Sequence, residues 1–402
     1  MIPVSPPHWM VGSVMGKCLL CGREDNTISS VIGVCVECLR RRPNEALSRA
    51  MRVHSEWRSR AKLPLEPLRT GGIQCSFCVN RCVIGEGGYG YCGIVSNSGG
   101  RLVLRPGLYS EKLSMHAVVS WYLDPHPTNC VAAPVCPANT GAGYPRWTNT
   151  HGVERGMYNL AVFFAGCGLD CLYCQNWEHK TMLTRRETIV SSSRSVEELV
   201  EAAMDPSVTC VCFFGGDPTP HAPWVLRAAR AIREEARRRG LVKRVCWETN
   251  GIANPAIMRE MARLSLDTGG IVKIDVKAWT PSVYKALTGV DAAQRVRENV
   301  KLVAEMWLEA GKPEPPLLVT SLLLVPGYVD LEEVRGWAEY LASIDPDIPF
   351  ILLAFHPDHL LRDLPPTSKE HAVKAARIAK EAGLRRVFIG NSWLLGEWYN
   401  VD

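Results

Sequence analysis

The 402-residue sequence has no run of about 18 or more apolar residues, so nothing in it reads as a membrane span. Met1 to Met15 holds prolines and His8 but no basic start followed by an apolar run, which argues against a secretory leader. Internal repeats and low-complexity tracts are missing. No strong charge of one sign is present: the net charge of +5 is spread among acidic and basic residues, which gives no argument for nucleic acid or for a membrane surface. A cytoplasmic protein of two or three domains is expected from these absences and from the length.

Cysteine is what the chain has in excess, with sixteen. Their grouping as C-x2-C pairs argues for metal rather than disulfides. Cys167, Cys171 and Cys174 stand in Phe-Phe-Ala-Gly-Cys-Gly-Leu-Asp-Cys-Leu-Tyr-Cys, a C-x3-C-x2-C spacing. A [4Fe–4S] cube held by three thiolates keeps one iron open for a small molecule. This is the spacing of enzymes that place S-adenosylmethionine (SAM) there. The apolar stretch before it, Tyr158 to Phe164, reads as a buried strand, so the cysteines are expected on the loop leaving its C-terminal end. The competing readings are three unrelated buried thiols or an incomplete zinc site.

Three units are expected along the chain. Residues 1–43 carry Cys18-x2-Cys21 and Cys35-x2-Cys38, with Gly22 and Gly33 beside the knuckles, the pattern of a zinc ribbon; a rubredoxin-like iron site is the alternative. Residues 44–156 begin with a helical stretch to about Arg60 and a proline-marked linker. Cys75-x2-Cys78-x3-Cys82 and Cys92 follow, a second metal site for either zinc or an auxiliary [4Fe–4S] cluster. The unit ends in an irregular connector, Arg101 to Gly156. There Asp124, His126, Asn129, Cys130 and Cys136 either line a site or satisfy their own backbone.

Residues 157–402 alternate strand and helix patterns, which means parallel strands with helical crossovers. The expected fold class is α/β: a partial (β/α)6 barrel preceded by small cysteine-rich metal-binding modules. Strands are expected at Leu160–Phe164, Val208–Phe214, Arg244–Glu248, Ile271–Val276, Leu317–Leu324, Phe350–Phe355 and Arg386–Ile389. No nucleotide-sized α/β domain precedes the barrel, which argues against a cobalamin-dependent enzyme.

Each strand exit carries polar chemistry. Gly215-Gly216-Asp217-Pro218 lets backbone approach a ligand and offers an acid to an ammonium group. Glu248-Thr249-Asn250-Gly251 makes another polar turn. Lys273, Asp275 and Lys277 alternate with apolar residues and are expected on one strand face, where buried charges need a pair or a ligand. His356 stands at a further exit.

With these residues in view, the chain resembles radical SAM enzymes, in particular the pyruvate formate-lyase activating-enzyme-like branch. The motifs are Cys167-x3-Cys171-x2-Cys174, Gly215-Gly-Asp-Pro218, Glu248-Thr-Asn-Gly251, Asp275-Val-Lys277, Leu287-Thr-Gly289, Val325-Pro-Gly327 and Phe355-His-Pro357. The segment Cys75 to Gly93 is similar to one in radical SAM proteins of the AmmeMemoRadiSam system. The resemblance runs from about Ile73 to Asn391 and leaves out the ribbon.

The resemblance implies that Cys167, Cys171 and Cys174 ligate a [4Fe–4S] cluster, with Tyr173 packing near SAM. Gly215, Gly216 and Asp217 would receive the SAM amino group, Asp217 standing where the family has Glu. Glu248, Asp275, Lys277 and His356 would surround the SAM carboxylate and ribose, with Asp275 and Lys277 closest to catalysis. An acidic pair matching Glu248 and Asp275 holds a monovalent cation in activating enzymes, where the first is usually Asp. The resemblance further implies a ferredoxin- or flavodoxin-like electron donor, cleavage of SAM to a 5′-deoxyadenosyl radical, and hydrogen abstraction from a substrate. An activase acting on a partner protein, and a non-catalytic electron-transfer or scaffold protein, are the alternatives.

Overall fold

The structure is a computed structural model that describes residues 15–105, 112–184 and 191–401. Its centre is a nine-stranded sheet. In chain order the strands are β1 (His116–Pro125), β2 (Tyr158–Phe164), β3 (Ser193–Ser195), β4 (Val208–Phe214), β5 (Arg244–Thr249), β6 (Val272–Asp275), β7 (Leu318–Leu324), β8 (Phe350–Ala354) and β9 (Val387–Gly390). The spatial order is β9-β8-β7-β6-β5-β4-β2-β1-β3. Neighbours from β2 through β9 are parallel, apart from β3, and β1 pairs antiparallel with both β2 and β3. The two edge strands do not pair with each other, so the sheet is open. The expected incompletely closed arrangement of βα units, ending on a strand near the C-terminus, is the one observed.

Helices form the crossovers: α3 (Val196–Ala203), α4 (Ala222–Arg239), α5 (Pro255–Thr268), α6 (Pro281–Thr288), α7 (Ala293–Glu309), α8 (Leu331–Ile344) and α9 (Lys369–Glu381). Their ends follow local chemistry. Ser195 and Glu198 form a reciprocal capping box on α3. Asn254 caps α5 before a proline, and Asp330 accepts the backbone N–H of Glu332 and Glu333 to start α8.

Strand alternation gives the sheet two different faces. Val211, Phe213, Val245, Trp247, Val272, Ile274, Leu322 and Leu352 lie in the main core with Trp224, Val300 and Trp337 of the helices. On the opposite face, Ile271, Val319, Ile351 and Leu353 pack with Ala132 and Val135 of the segment after β1. The face covered by helices therefore holds the fold together. The other carries the cysteines, acids and lysines of the strand ends.

The connector differs from its expected irregularity. It contains the ten-residue strand β1, whose Val119 to Pro125 pair with Phe164 to Tyr158. Tyr122-Leu-Asp-Pro alternates poorly and ends in proline, so its strand character comes from partnership with β2 and not from local pattern. The N-terminal part packs through two helices, α1 (Val36–Arg41) and α2 (Pro43–Arg60). Arg40 joins α1 to the start of α8 by bonds to Asp330 at 2.7 and 2.8 Å and to Glu333 at 2.8 Å. Asp363 accepts bonds from Ser29 and Ser30, and Tyr328 donates to the Val34 carbonyl. The ribbon region is thus seated on the βα unit and does not hang from it.

Candidate active site

A cavity of about 330 Å³ opens at the C-terminal ends of the parallel strands. Cys167, Cys171, Cys174 and Tyr173 line it from the loop after β2. Gly215 and Gly216 line it after β4, Glu248 and Asn250 at the end of β5, and Lys273, Asp275 and Lys277 from β6 and beyond. Residues far apart in sequence thus meet because each sits at the same level of one parallel sheet.

The cysteine loop is held from several sides. Asp170 N–H and Leu172 N–H donate to the carbonyls of Thr288 and Leu287, which explains the Leu-Thr-Gly motif at the end of α6. The Asp170 carboxylate is buried, 2.5 Å from Lys180 Nζ, 3.1 Å from His54 Nδ1 and 3.5 Å from Arg58. Burial alone would raise the Asp170 pKa; Lys180, His54 and Arg58 outweigh it and hold the carboxyl below its usual range. Lys180 is pushed down by burial but raised more by Asp170 and Cys174, and stays protonated. His54 and Arg58 come from α2, and both are buried.

The thiols have donors around them. Cys167 Sγ accepts from Leu169 N–H and from the Asn250 side-chain amide, each at 3.4 Å. Cys174 Sγ lies 3.8 Å from His179 Nε2. Burial pushes the Cys171 thiol up to about 11, while Lys277 and Lys180 pull it down. In this dry site a thiol becomes a thiolate only with positive charge or metal beside it.

Lys273 and Asp275 point to the cavity from β6, and Val272 and Ile274 to the core, as strand alternation requires. Lys277 arrives differently. The strand stops at Asp275, and Lys277 adopts a left-handed φ of 65°, which swings its ammonium onto Asp275 and over the Tyr173 ring, 5.6 Å from the centroid. A left-handed lysine costs conformational energy and marks a position that the surroundings impose. Lys273 pairs with Glu248. That ion pair occupies one of the two acids that the resemblance matched to a cation site.

Two expected residues stand elsewhere. Asp217 is buried below the cavity and does not line it. Its Oδ2 accepts from Asn250 N–H at 2.9 Å and Thr249 Oγ1 at 3.0 Å, and Oδ1 from Thr219 N–H at 2.8 Å. With both oxygens on its own protein, it clasps the Glu248–Gly251 turn. His356 is half-buried and is not among the residues that line the cavity. Asn250, Ser321, Lys180 and Asn391 line it without having been singled out. Asn250 belongs to a motif already noted, but Ser321 and Asn391 carry no local signal.

Gly216 shows why glycine is needed at the β4 exit. Its φ is 54°, and a Cβ there would stand 2.4 Å from the Phe164 carbonyl oxygen and 2.6 Å from that of Gly166.

Residues 161–341 match the Radical SAM superfamily. This segment is a radical SAM domain. Over 339 residues the chain is 25% identical to an uncharacterized protein of Methanocaldococcus jannaschii, covering 81% of this chain and 83% of that protein. It is 24% identical over 212 residues to a Methanococcus vannielii protein named as a probable GTP 3′,8-cyclase, covering 53% of this chain and 65% of that one. A stretch of 75 residues is 33% identical to a Haemophilus influenzae protein named as a putative glycyl-radical enzyme activating enzyme, covering 19% of this chain and 28% of that one.

A radical SAM domain implies a [4Fe–4S] cluster and SAM, and the residues present fit them. Three thiols face one cavity, with donors at Cys167 and a histidine nitrogen beside Cys174. Asp275 Oδ1, Tyr173 OH and Ser321 Oγ are buried and have no hydrogen-bond partner among the described residues, so the cavity offers unused polar contacts to a ligand.

The two other cysteine groups differ in geometry. Among the described residues, Cys18, Cys21, Cys35 and Cys38 bring their sulfurs within 4.8 Å of one another, as four ligands of a single ion must. Cys75, Cys78, Cys82 and Cys92 are looser, yet near enough to raise one another's pKa; burial first, then Cys92 and Cys82, push Cys75 up to about 12. Spread thiols suit a cube, where each thiolate takes its own iron.

Proposed function

We propose that this chain is a radical SAM enzyme that abstracts hydrogen from its substrate. When bound, the cluster and SAM supply one-electron cleavage to methionine and a 5′-deoxyadenosyl radical. Cys167, Cys171 and Cys174 would hold the cluster, and Asn250 and the Leu169 N–H would stabilise the Cys167 thiolate. Gly215 and Gly216 would give SAM close access to backbone. Asp275 and Lys277 would bind and orient its polar groups, and Glu248 would do so from its pair with Lys273. Tyr173 and the buried walls would exclude water. The observation that carries this reading is the meeting of three loop thiols with the unpartnered Asp275 Oδ1 in one cavity.

On the same reading, the ribbon holds zinc and the Cys75–Cys92 group a second metal centre, with an electron donor of ferredoxin or flavodoxin type and a cytoplasmic setting. A glycyl-radical activase acting on a protein is the second reading, favoured by the stretch shared with the Haemophilus influenzae protein. A scaffold or electron relay has no use for Asp275 and Lys277 in the cavity.

The test is anaerobic reconstitution with SAM and dithionite, reading 5′-deoxyadenosine. Cys167, Cys171 and Cys174 changed together to Ala should abolish it and the SAM-responsive EPR signal. Survival of that signal overturns the reading. Iron counting separates the options at the second group: about four irons per chain mean one cube and about eight mean two.

A further inference from the structure

The ribbon takes four of the sixteen cysteines, the second group four and the cluster loop three. The remaining five, Cys130, Cys136, Cys210, Cys212 and Cys246, all line one cavity of about 30 Å³ on the site face of the sheet. They are distant in sequence. Cys210 and Cys212 are alternate residues of β4 and so share its site face; Cys246 is the register partner of Cys212 on β5. Cys130 and Cys136 come from the segment after β1 that covers this face.

We infer that these five thiols form a binding site for a single thiophilic metal ion, Zn²⁺ or Cu⁺. The volume exceeds what one water-sized particle needs and is far below that of an iron–sulfur cube. Thiolate donors select such ions. Cys210 Sγ and Cys246 Sγ are 3.5 Å apart, a spacing for two ligands of one ion. Backbone N–H groups already point at sulfur: Ile271 donates to Cys246 and Ala132 to Cys130, each at 3.4 Å. Arg244 and Lys273 stand near these sulfurs, each also paired with an acid, Glu154 and Glu248. The ribbon sulfurs already converge, whereas here two of the Cys130, Cys136 and Cys212 side chains must turn toward the Cys210–Cys246 pair to give a four-coordinate ion.

The site has a consequence for the cavity above. Glu248 and Lys273 line both cavities, Cys130 Sγ is 3.3 Å from Glu248 Oε1, and Val131 lines the upper one. An ion bound to both the strands and the covering segment would fix the floor on which the substrate rests.

The test uses the full reduced apo chain under anaerobic conditions, titrated with Cd²⁺ and followed by thiolate-to-metal absorbance. Wild type should bind one equivalent more than Cys210→Ser/Cys246→Ser. Where that variant fails to fold, Cys130→Ser/Cys136→Ser on the covering segment should lose the same equivalent. Equal uptake by wild type and a folded variant overturns the proposal. The zinc or copper that purified wild type carries in excess of the variant names the ion. The difference between wild type and variant cancels uptake by the loop and the other cysteine groups and needs no SAM, so it can fail while the radical SAM reading stands.

Discussion

The side-chain amide of Asn80 donates to the carbonyl of Gly168 at 2.7 Å, tying the second cysteine group to the loop between Cys167 and Cys171. Gly166, on the other side of Cys167, packs against the Cys92 carbonyl. The two cysteine groups are therefore in direct mechanical contact. Asn80→Ala should lose roughly 1–3 kcal/mol of stability, because it leaves the buried Gly168 carbonyl without its donor. Gly166→Ala should cost more, because φ is 79° and a Cβ would stand 2.7 Å from Cys92 O and 2.6 Å from Ile94 Cγ1. Both variants should retain less iron after reconstitution. Wild-type iron content in Gly166→Ala would show that the contact does not shape the loop.

Lys277→Met removes the charge that meets Asp275 while keeping the length. If Lys277 touches a SAM oxygen, SAM binding should weaken by roughly 1.5–3 kcal/mol, the range of charge-assisted hydrogen bonds. Asp275→Asn should impair SAM cleavage and leave the cluster in place. Equilibrium binding and 5′-deoxyadenosine yield measure the two effects. Wild-type rates in both variants would make the pair structural.

Arg40 bridges the ribbon to α8, and its partner Glu333 is fully buried. Arg40→Met should destabilise the chain by up to roughly 3–5 kcal/mol, because it strands a buried carboxylate. Glu333 keeps donors from Trp279, Thr280 N–H and Thr280 Oγ1, which softens the loss. Urea unfolding measures it. Adding Glu333→Gln in the same chain should recover part of the stability; no recovery would place the effect elsewhere.

Glu154 and Arg244 form a buried two-pronged ion pair, at 2.5 and 3.1 Å, under the covering segment. Burial raises the Glu154 pKa, but Arg244, Asn149 N–H and Thr209 outweigh it and bring the carboxyl down to about 2, from 4.5. A folded pKa below the unfolded one gives stability that is present above pH 4.5 and is lost as pH falls toward 2. Wild type should therefore exceed Glu154→Gln in stability at neutral pH, and the gap should close across that window. His126, 4.0 Å away and held neutral by burial down to about pH 4, is common to both chains. Urea midpoints at several pH values test this; a gap constant from pH 5 to 2 would exclude Glu154 as its source.

Much of the architecture was legible in residue order. Apolar runs such as Val208–Phe214 carry their structure locally, so that strand appears at the expected residues. The cysteine spacing, the glycine pair and the Asp-Val-Lys motif pointed to residues that do share one cavity. These signals are short-range: a turn, a strand exit or a metal loop is specified by its own few residues.

What only the tertiary structure decided is which side chains meet across the sheet. Asp217 and Lys277 look alike as charged residues at strand exits. One spends its carboxylate on a neighbouring turn, and the other swings into the cavity through a left-handed backbone. His54 and Arg58 gain their role only because α2 packs them onto Asp170. Cys210, Cys212 and Cys246 carry no spacing signal of their own; the register of β4 and β5, and the segment laid over them, place them around one cavity with Cys130 and Cys136. Sequence alone determined the elements because backbone preference and hydrophobic period act over a few residues. Burial, partners and charge state were decided by contacts between distant segments, which form only when the whole sheet closes its two faces.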